Sequence, residues 1–401
     1  MPELKNKKRR KLKIVLAGGG TGGHFYPLLA VAVEFQILAA QQNIDLDLFY
    51  LGTASTKYYN LFLKNNIVVK KTLAGKFRRT LSLSNLFDLI KFAIGFLQSL
   101  WHLFWIMPDA VFSKGGPGAL SVVFAAVVYR IPVFIHESDS VSGLTNVISA
   151  KFSKAIFIAF KENAKSFNQN RNVVVSRMLN ISSSMPLTIV VGNPIRRYIL
   201  NDIPKKERAK KILGLNPEIP LLLFLGGSQG AVRINNIVIK NLKSLLSNYQ
   251  IFHQIGDANY NDFENQINSV LKEIPFKIRS RYFFVDYFYD DFKDILAAAD
   301  LVISRAGSGA IFEIAAFGKP SILIPLPESA SDHQLLNSQI YSSSGAALVM
   351  EEKDYFPEHF LNLIESLLLN PEILEKMSVR AKEFSKPEAA KIIAQKIIEL
   401  T

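Results

Sequence analysis

Two glycine-rich turns and a histidine hold the first chemistry of this 401-residue chain. The run Gly18-Gly19-Gly20-Thr21-Gly22-Gly23-His24 follows the apolar stretch Ile14-Val15-Leu16-Ala17 and precedes a helical pattern from Pro27 to Ala40. Glycines there let backbone N–H groups close on an anion, and the helix start adds its partial positive charge. His24, at the end of that loop, is placed to act as a general base toward a substrate hydroxyl, the other reading being a structural histidine. Gly18, Gly20 and Gly23 also satisfy G-x-G-x-x-G. A nicotinamide enzyme would close its second strand on an acid for the ribose, whereas here that strand ends in Leu51-Gly52-Thr53. The dinucleotide reading lacks its second anchor.

A second glycine turn, Gly226-Gly227-Ser228-Gln229-Gly230, follows the apolar run Leu221 to Leu225 in the same strand-to-helix position. Two such loops imply an anionic group, such as a pyrophosphate, met by backbone N–H groups. Downstream, Ser304 to Glu313 reads again as strand, glycine turn and helix. Glu313 could accept the two hydroxyls of a ribose, or serve only as a partner of the helix dipole. Gln334, in Asp332-His333-Gln334 after Pro325-Leu326-Pro327, has the donor and acceptor needed for sugar hydroxyls. Six histidines are scattered without H-x-x-x-H spacing, no D-x-D pair of the kind that holds a divalent ion on a nucleotide sugar is present, Asp45-Leu46-Asp47 lying in the second strand run, and no G-x-x-x-x-G-K-[ST] occurs. The expectation is a chain without metal or cofactor, with a pyrophosphate neutralised by N–H groups, helix ends and Arg196 or Arg305.

These turns must be carried by elements. Short apolar runs alternate with longer amphipathic segments in both halves, the pattern of strand-helix-strand units on parallel sheets. The fold class expected is α/β, two Rossmann-like doubly wound domains facing a central cleft. The chain divides into a basic tail at 1–13, a first domain at 14–194, a second at 195–375 and a terminal helical segment at 376–401 that packs back toward the first domain. The break follows the strand that ends at Gly192-Asn193-Pro194. Cysteine is absent, which excludes a disulfide framework and thiolate chemistry.

The net charge of +13 is uneven. Residues 1–200 hold 25 Lys/Arg against 9 Asp/Glu, and residues 201–401 hold 22 against 25. Beside that basic half lies the apolar segment Leu81 to Met107, with six aromatics including Trp101 and Trp105. Its uncharged core, Phe92 to Met107, ends at Pro108 and falls short of the ~20 residues of a bilayer span. An amphipathic helix lying at an anionic lipid surface is expected, against the alternative of an ordinary packed helix, and lipid is favoured over nucleic acid. The first thirteen residues, seven of them basic, lack the apolar region of a signal peptide and read as a solvated tail or a lipid-touching arm.

The ordered set Gly18 to Ala30, His136-Glu137 with Gly143-Leu144-Thr145-Asn146, Gly192 to Arg196, Leu225 to Asn235, Asp300 to Gly318 and Asp332-His333-Gln334 resembles the inverting family-28 glycosyltransferases of GT-B fold. That resemblance implies transfer of N-acetylglucosamine (GlcNAc) from UDP-GlcNAc to the C4 hydroxyl of the MurNAc sugar in undecaprenyl-pyrophosphoryl-MurNAc-pentapeptide, lipid I, giving lipid II. The enzyme would work at the cytoplasmic face of the membrane, as a peripheral protein touching anionic lipids and no nucleic acid. It further implies His24 as catalytic base, with Gly20, Gly115 and Gly116 on the acceptor side. UDP-GlcNAc would meet Thr21, Gly22, Gly23, Asp139, Arg196 and Ser228, with Ser308, Gly309, Ala310, Ile311, Phe312 and Glu313 around ribose and phosphate, Gln334 on the sugar, and the Tyr289 backbone at the uracil. A related transferase acting on diacylglycerol or another lipid would share the donor loops. Two departures stand out. The family's usual H-E-Q-N reads His136-Glu137-Ser138-Asp139, and the acceptor loop, which commonly carries an aromatic after its two glycines, reads Lys114-Gly115-Gly116-Pro117.

Overall fold

The computed structural model describes residues 10–75, 84–167, 186–227 and 230–401. Most of the basic tail, the start of the apolar segment at 81–83, and Ser228 with Gln229 lie outside the described residues.

Two parallel sheets form two compact units, one built from Met1–Arg196 with Glu388–Thr401, the other from Arg197–Pro387. The first sheet holds β1 (Lys11–Gly18), β2 (Asp45–Gly52), β3 (Val68–Lys71), β4 (Ala110–Ser113), β5 (Val133–Glu137), β6 (Ala155–Ile158) and β7 (Leu187–Val190). Its spatial order is β3-β2-β1-β4-β5-β6-β7. The second holds β8 (Leu221–Leu225), β9 (Gln250–Gln254), β10 (Tyr282–Val285), β11 (Leu301–Ser304), β12 (Ser321–Leu323) and β13 (Ala347–Val349), in the order β10-β9-β8-β11-β12-β13. Central strands covered by helices on both faces read as largely apolar runs, and β4, β5, β6 and β8 are buried throughout, including Ser113 at the end of β4 and His136-Glu137 at the end of β5. The edge strands give no such run, β3 because it turns to lysine after two valines and is mostly exposed, β13 because it is only three residues long and partly exposed.

The first long helix, α1, begins at Gly22 rather than at Pro27 and runs to Gln41. Pro27 is tolerated near the start because only the bond to the Gly23 carbonyl, four residues back, is lost. His24 therefore belongs to the first turn of α1, its N–H bonded to the Thr21 carbonyl at 3.0 Å. Below it Phe25 stacks on Tyr58 at 4.2 Å, and Tyr50 stacks on Phe62 at 4.6 Å. The Tyr50 hydroxyl lies 2.7 Å from the carbonyls of both Gly18 and Thr53, pinning the end of β1 to the end of β2.

The terminal segment divides between the units. Pro371–Phe384 packs in the second, where Phe384 meets Phe312 and Tyr341. Ala389–Leu400 buries Ile393, Ala394 and Ile397 in the cluster that holds Phe35 and Leu38 of α1, and Lys154 donates to the Leu400 carbonyl. The apolar segment is a helix, Ser84–Ile106, whose 20-residue window Phe87–Ile106 is by length and hydropathy enough to cross a membrane, longer than the uncharged core alone suggests. One face docks on the first unit: Phe92 meets Phe124, Gln98 accepts from the Leu73 N–H, and Gly95 lies so close to the Leu73 carbonyl that a Cβ there would come within 2.0 Å of it. The other face leaves Leu97, Trp101, Phe104 and Trp105 exposed.

Candidate active site

In each sheet the chain crosses to the opposite side after its third strand, so the loops following two adjacent central strands part to opposite faces at their carboxyl ends, where α/β sheets bind ligands. In the first unit that point lies between β1 and β4, in the second between β8 and β11.

The first unit brings together Gly20, Thr21, Gly22, Gly23 and His24 after β1, Gly115 and Gly116 after β4, and Asp139 after β5. Gly115 and Gly116 hold consecutive φ values of +81° and +84°, a conformation in which a side chain is strained. A Cβ on Gly116 would come 2.7 Å from the Gly19 carbonyl oxygen and 3.3 Å from His24 Nε2, while one on Gly115 would meet Asn146 Oδ1 at 2.7 Å. The three loops thus fit together only because these positions carry no side chain.

His24 is half-buried, and its Nδ1 has no hydrogen-bond partner among the described residues. Burial pushes its pKa down to about 4, helped by the Lys114 charge and opposed by Asp139 and a hydrogen bond to the Lys114 backbone. The ring is therefore neutral at physiological pH and able to take a proton. Lys114, quoted in the sequence only as a letter before two glycines, is 1% exposed. Burial lowers its pKa to about 8 against the pull of Glu137 and Asp139. Glu137 is buried too, with its pKa raised by burial and by Asp139. Its carboxylate accepts from the N–H groups of Asp139 at 3.2 Å and Gly143 at 2.9 Å and from Asn146 Nδ2 at 2.9 Å. His136 donates from Nε2 to the Gly192 carbonyl, 2.9 Å away, and burial holds it neutral. The His-Glu pair thus ties β5 to the turn after β7 and to the helix Leu144–Ala150, and Asp139 stands beside Lys114 and His24. Arg196, at the end of that turn, lays its guanidinium 4.4 Å from the centre of the Tyr26 ring.

The second unit gathers Gly227 and Gly230 after β8, Ser308 to Glu313 after β11 and Gln334 after β12. The helix Ser308–Ala316 starts at the β11 turn, so the N–H groups of Ser308, Gly309 and Ala310 are free of intrahelical partners. Ile311 already bonds the Gly307 carbonyl, and Phe312 is a buried core ring. Ser308 Oγ is buried without a partner among the described residues, an open donor at an anion-favouring helix end. Gln334 Oε1 accepts from the Leu326 N–H at 3.0 Å, which fixes its amide and leaves the NH2 as donor. Tyr289 lies in the loop after β10, exposed, with its N–H taken by Asp291 Oδ1 at 3.2 Å. Arg305 departs from its expected role in neutralising a pyrophosphate. Its guanidinium is spent on Glu352 at 2.6 Å and on the carbonyls of Ile324 and Pro325, clamping the loop that leads to Gln334. Among the described residues no cluster of three or more His, Asp or Glu has metal-holding geometry.

Residues 14–158 match the glycosyltransferase family 28 N-terminal domain and residues 221–393 the glycosyltransferase family 28 C-terminal domain. The chain belongs to glycosyltransferase family 28. This family-28 chain is 33% identical over 390 residues to the UDP-N-acetylglucosamine--N-acetylmuramyl-(pentapeptide) pyrophosphoryl-undecaprenol N-acetylglucosamine transferase of Thermoanaerobacter sp. (strain X514), covering 97% of this chain and 100% of that protein. It is 34% identical over 361 residues to the protein of the same name from Clostridium botulinum (strain Alaska E43 / Type E3), covering 90% and 91%. The crystal structure of Acinetobacter baumannii MurG shares its fold, with a TM-score of 0.69, 24% identity and coverage of 97% and 99%. The family-28 architecture is thus the GT-B fold, with the two glycine loops at the carboxyl ends of equivalent strands.

Proposed function

We propose that the chain is an inverting N-acetylglucosaminyltransferase that moves GlcNAc from UDP-GlcNAc to the C4 hydroxyl of the MurNAc in undecaprenyl-pyrophosphoryl-MurNAc-pentapeptide, forming a β-1,4 link and UDP. The observation that carries this reading is a near end-to-end match, at 33% identity, to relatives named for this transfer. Each unit taken by itself supports it: the first holds a neutral histidine and the second an anion-favouring helix start.

The first unit holds the acceptor, with the glycines at 20, 115 and 116 giving backbone close access, while Thr21, Gly22 and Gly23 meet UDP-GlcNAc. Neutral His24 takes the proton from the C4 hydroxyl as that oxygen bonds to the anomeric carbon. The bond from that carbon to the β-phosphate oxygen breaks on the opposite face, and the charge gathering on UDP is met by the N–H groups of the helix beginning at Ser308 and by Ser228 of the Gly226–Gly230 turn, whose Gly226 and Gly230 N–H groups already bond the Gln254 and Gly227 carbonyls. Glu313 accepts the ribose hydroxyls, the Gln334 amide donates to the sugar, and the carbonyl side of Tyr289 remains for the base. Arg196 adds a positive charge on the phosphate side, and Asp139 is a further contact to UDP-GlcNAc. No divalent ion is needed where N–H groups already neutralise the pyrophosphate.

The enzyme sits peripherally at the cytoplasmic face of the membrane. Support comes from the exposed Trp101, Phe104 and Trp105 of the helix Ser84–Ile106, and from the excess of Lys and Arg in residues 1–200. The deciding assay measures UDP release from UDP-GlcNAc with detergent-solubilised muramyl-pentapeptide lipid, with chelator present, beside a parallel reaction with diacylglycerol. Chelator-resistant release with the muramyl lipid alone is expected. Release only with diacylglycerol would move the function to glycolipid synthesis, and loss of release on chelation would refute metal independence.

A further inference from the structure

The ammonium of Lys114 is 1% exposed and has no hydrogen-bond partner among the described residues. Burying a charge without such bonds is unfavourable, and a folded protein tolerates it where a ligand completes the site. The position is built. The Lys114 N–H bonds the Ala17 carbonyl at 2.9 Å, which fixes the residue at the joint of β1 and β4, directly before the two left-handed glycines that press on His24 and Asn146.

The charges around it select the ligand. Glu137 and Asp139 approach from β5 and its loop, His24 from the first turn of α1, and His136 from within β5, both histidines being neutral. Glu137 is already saturated by Asp139, Gly143 and Asn146, so it balances charge without giving the ammonium a hydrogen bond. One cation among two carboxylates is at best neutral, and a phosphate or a carboxylate would be repelled. An uncharged oxygen, a sugar hydroxyl or an acetamido carbonyl, accepts from the ammonium without that penalty.

We propose that Lys114 is a binding residue of the acceptor side, donating from its ammonium to an uncharged oxygen of the acceptor sugar beside His24. This rests on the assignment of the first unit to the acceptor. The same charge adds to burial in depressing the pKa of His24, so the residue that holds the sugar also helps to keep the base unprotonated.

The test compares Lys114→Met, which removes charge and donor at similar volume, with Lys114→Gln, which keeps a donor and removes the charge. Both are made in the full chain and assayed with UDP-GlcNAc and the muramyl lipid, following rate against pH and thermal unfolding. The Met variant should raise the acceptor KM by about ten- to a hundred-fold, the range of a hydrogen bond to a charged group. The KM for UDP-GlcNAc should not change. The Gln variant should fall between Met and wild type in acceptor KM, yet shift the acid limb of kcat/KM upward as far as Met, because both lose the charge facing His24. Should the Met variant fail to fold, the Gln variant carries the same two readouts. An unchanged acceptor KM with an unmoved acid limb overturns the proposal, as does a fall in stability that moves both KM values together. A wild-type enzyme inactive on the muramyl lipid overturns the functional reading and this assignment with it, whereas an active wild type matched by both variants overturns the assignment alone.

Discussion

Replacing Gly116 with alanine tests whether close contact between the two glycine loops sets the active geometry. Two costs follow from the structure. The φ of +84° is left-handed, which charges a non-glycine residue ~1–2 kcal/mol. The added Cβ would stand 2.7 Å from the Gly19 carbonyl oxygen, so that oxygen must retreat by about 0.7 Å to reach the ordinary 3.4 Å contact. It belongs to the loop that carries His24. Gly214 gives the matching control, since its φ is +67° and a Cβ there would meet nothing within 4 Å. Gly214→Ala should therefore lose only ~1–2 kcal/mol of unfolding free energy and keep wild-type turnover. Gly116→Ala should lose a further ~1–3 kcal/mol from overpacking. Its turnover should fall by roughly ten- to a hundred-fold, because displacements approaching 1 Å cost about that much in positioning. Denaturant titrations and initial rates on the two variants decide it. Wild-type turnover in Gly116→Ala, or a stability loss no larger than that of Gly214→Ala, would refute the reasoning.

Three histidines are held neutral by burial: His24 at about 4, His253 at about 3 and His136 well below the ordinary 6.5. The unfolded chain therefore binds more protons below pH 6.5, so their contribution to stability is complete above that value and is lost as pH falls through the folded values. The denaturant midpoint should decline steadily between about pH 6.5 and 5, and a flat midpoint there would contradict the burial argument. Asp300, 12% exposed at its side chain, accepts from Lys206, Lys210 and the Leu221 N–H, each at 2.8 Å. Asp300→Ala strands the buried Lys210 and should cost ~3–5 kcal/mol in a urea titration; a loss under about 1 kcal/mol would mean the pair is screened. Those bonds also depress the Asp300 pKa, so its contribution is present above the usual carboxylate range and disappears as pH falls through the depressed value. Glutamine at both Trp101 and Trp105 should weaken sedimentation with anionic vesicles while leaving unfolding nearly unchanged, and wild-type binding should partly release at high salt. Undiminished vesicle binding by that variant would exclude this helix face as the lipid contact.

Much of the architecture could be read along the chain because local pattern and burial agree there. Runs such as Leu221 to Leu225 and Ala155 to Ile158 are apolar on both faces, and only a covered parallel sheet leaves such a run nowhere else to go. The edge strands β3 and β13 carry no such mark, since β3 gives way to two lysines and β13 is only three residues long. The start of α1 was equally hidden: glycines and a proline locally disfavour a helix, and tertiary packing of Phe25 and Leu28 overrides that preference. Sequence order also forecast that the Gly18 and Gly226 turns follow the first strand of each sheet, with His24 at the end of one and Ser308 opening a helix.

Residue types and order by themselves determined two doubly wound sheets, two anion-favouring turns, the family resemblance and His24 as the candidate base. Charge state and packing were decided only by the tertiary structure, because both depend on atoms far apart in the chain. Lys114 and Arg305 each look in sequence like a cation beside a glycine turn. Folding leaves the first unpaired between His24 and Asp139, and spends the second on Glu352 and two carbonyls. Desolvation and hydrogen-bond satisfaction separate them, and neither quantity exists until strands distant in sequence lie side by side.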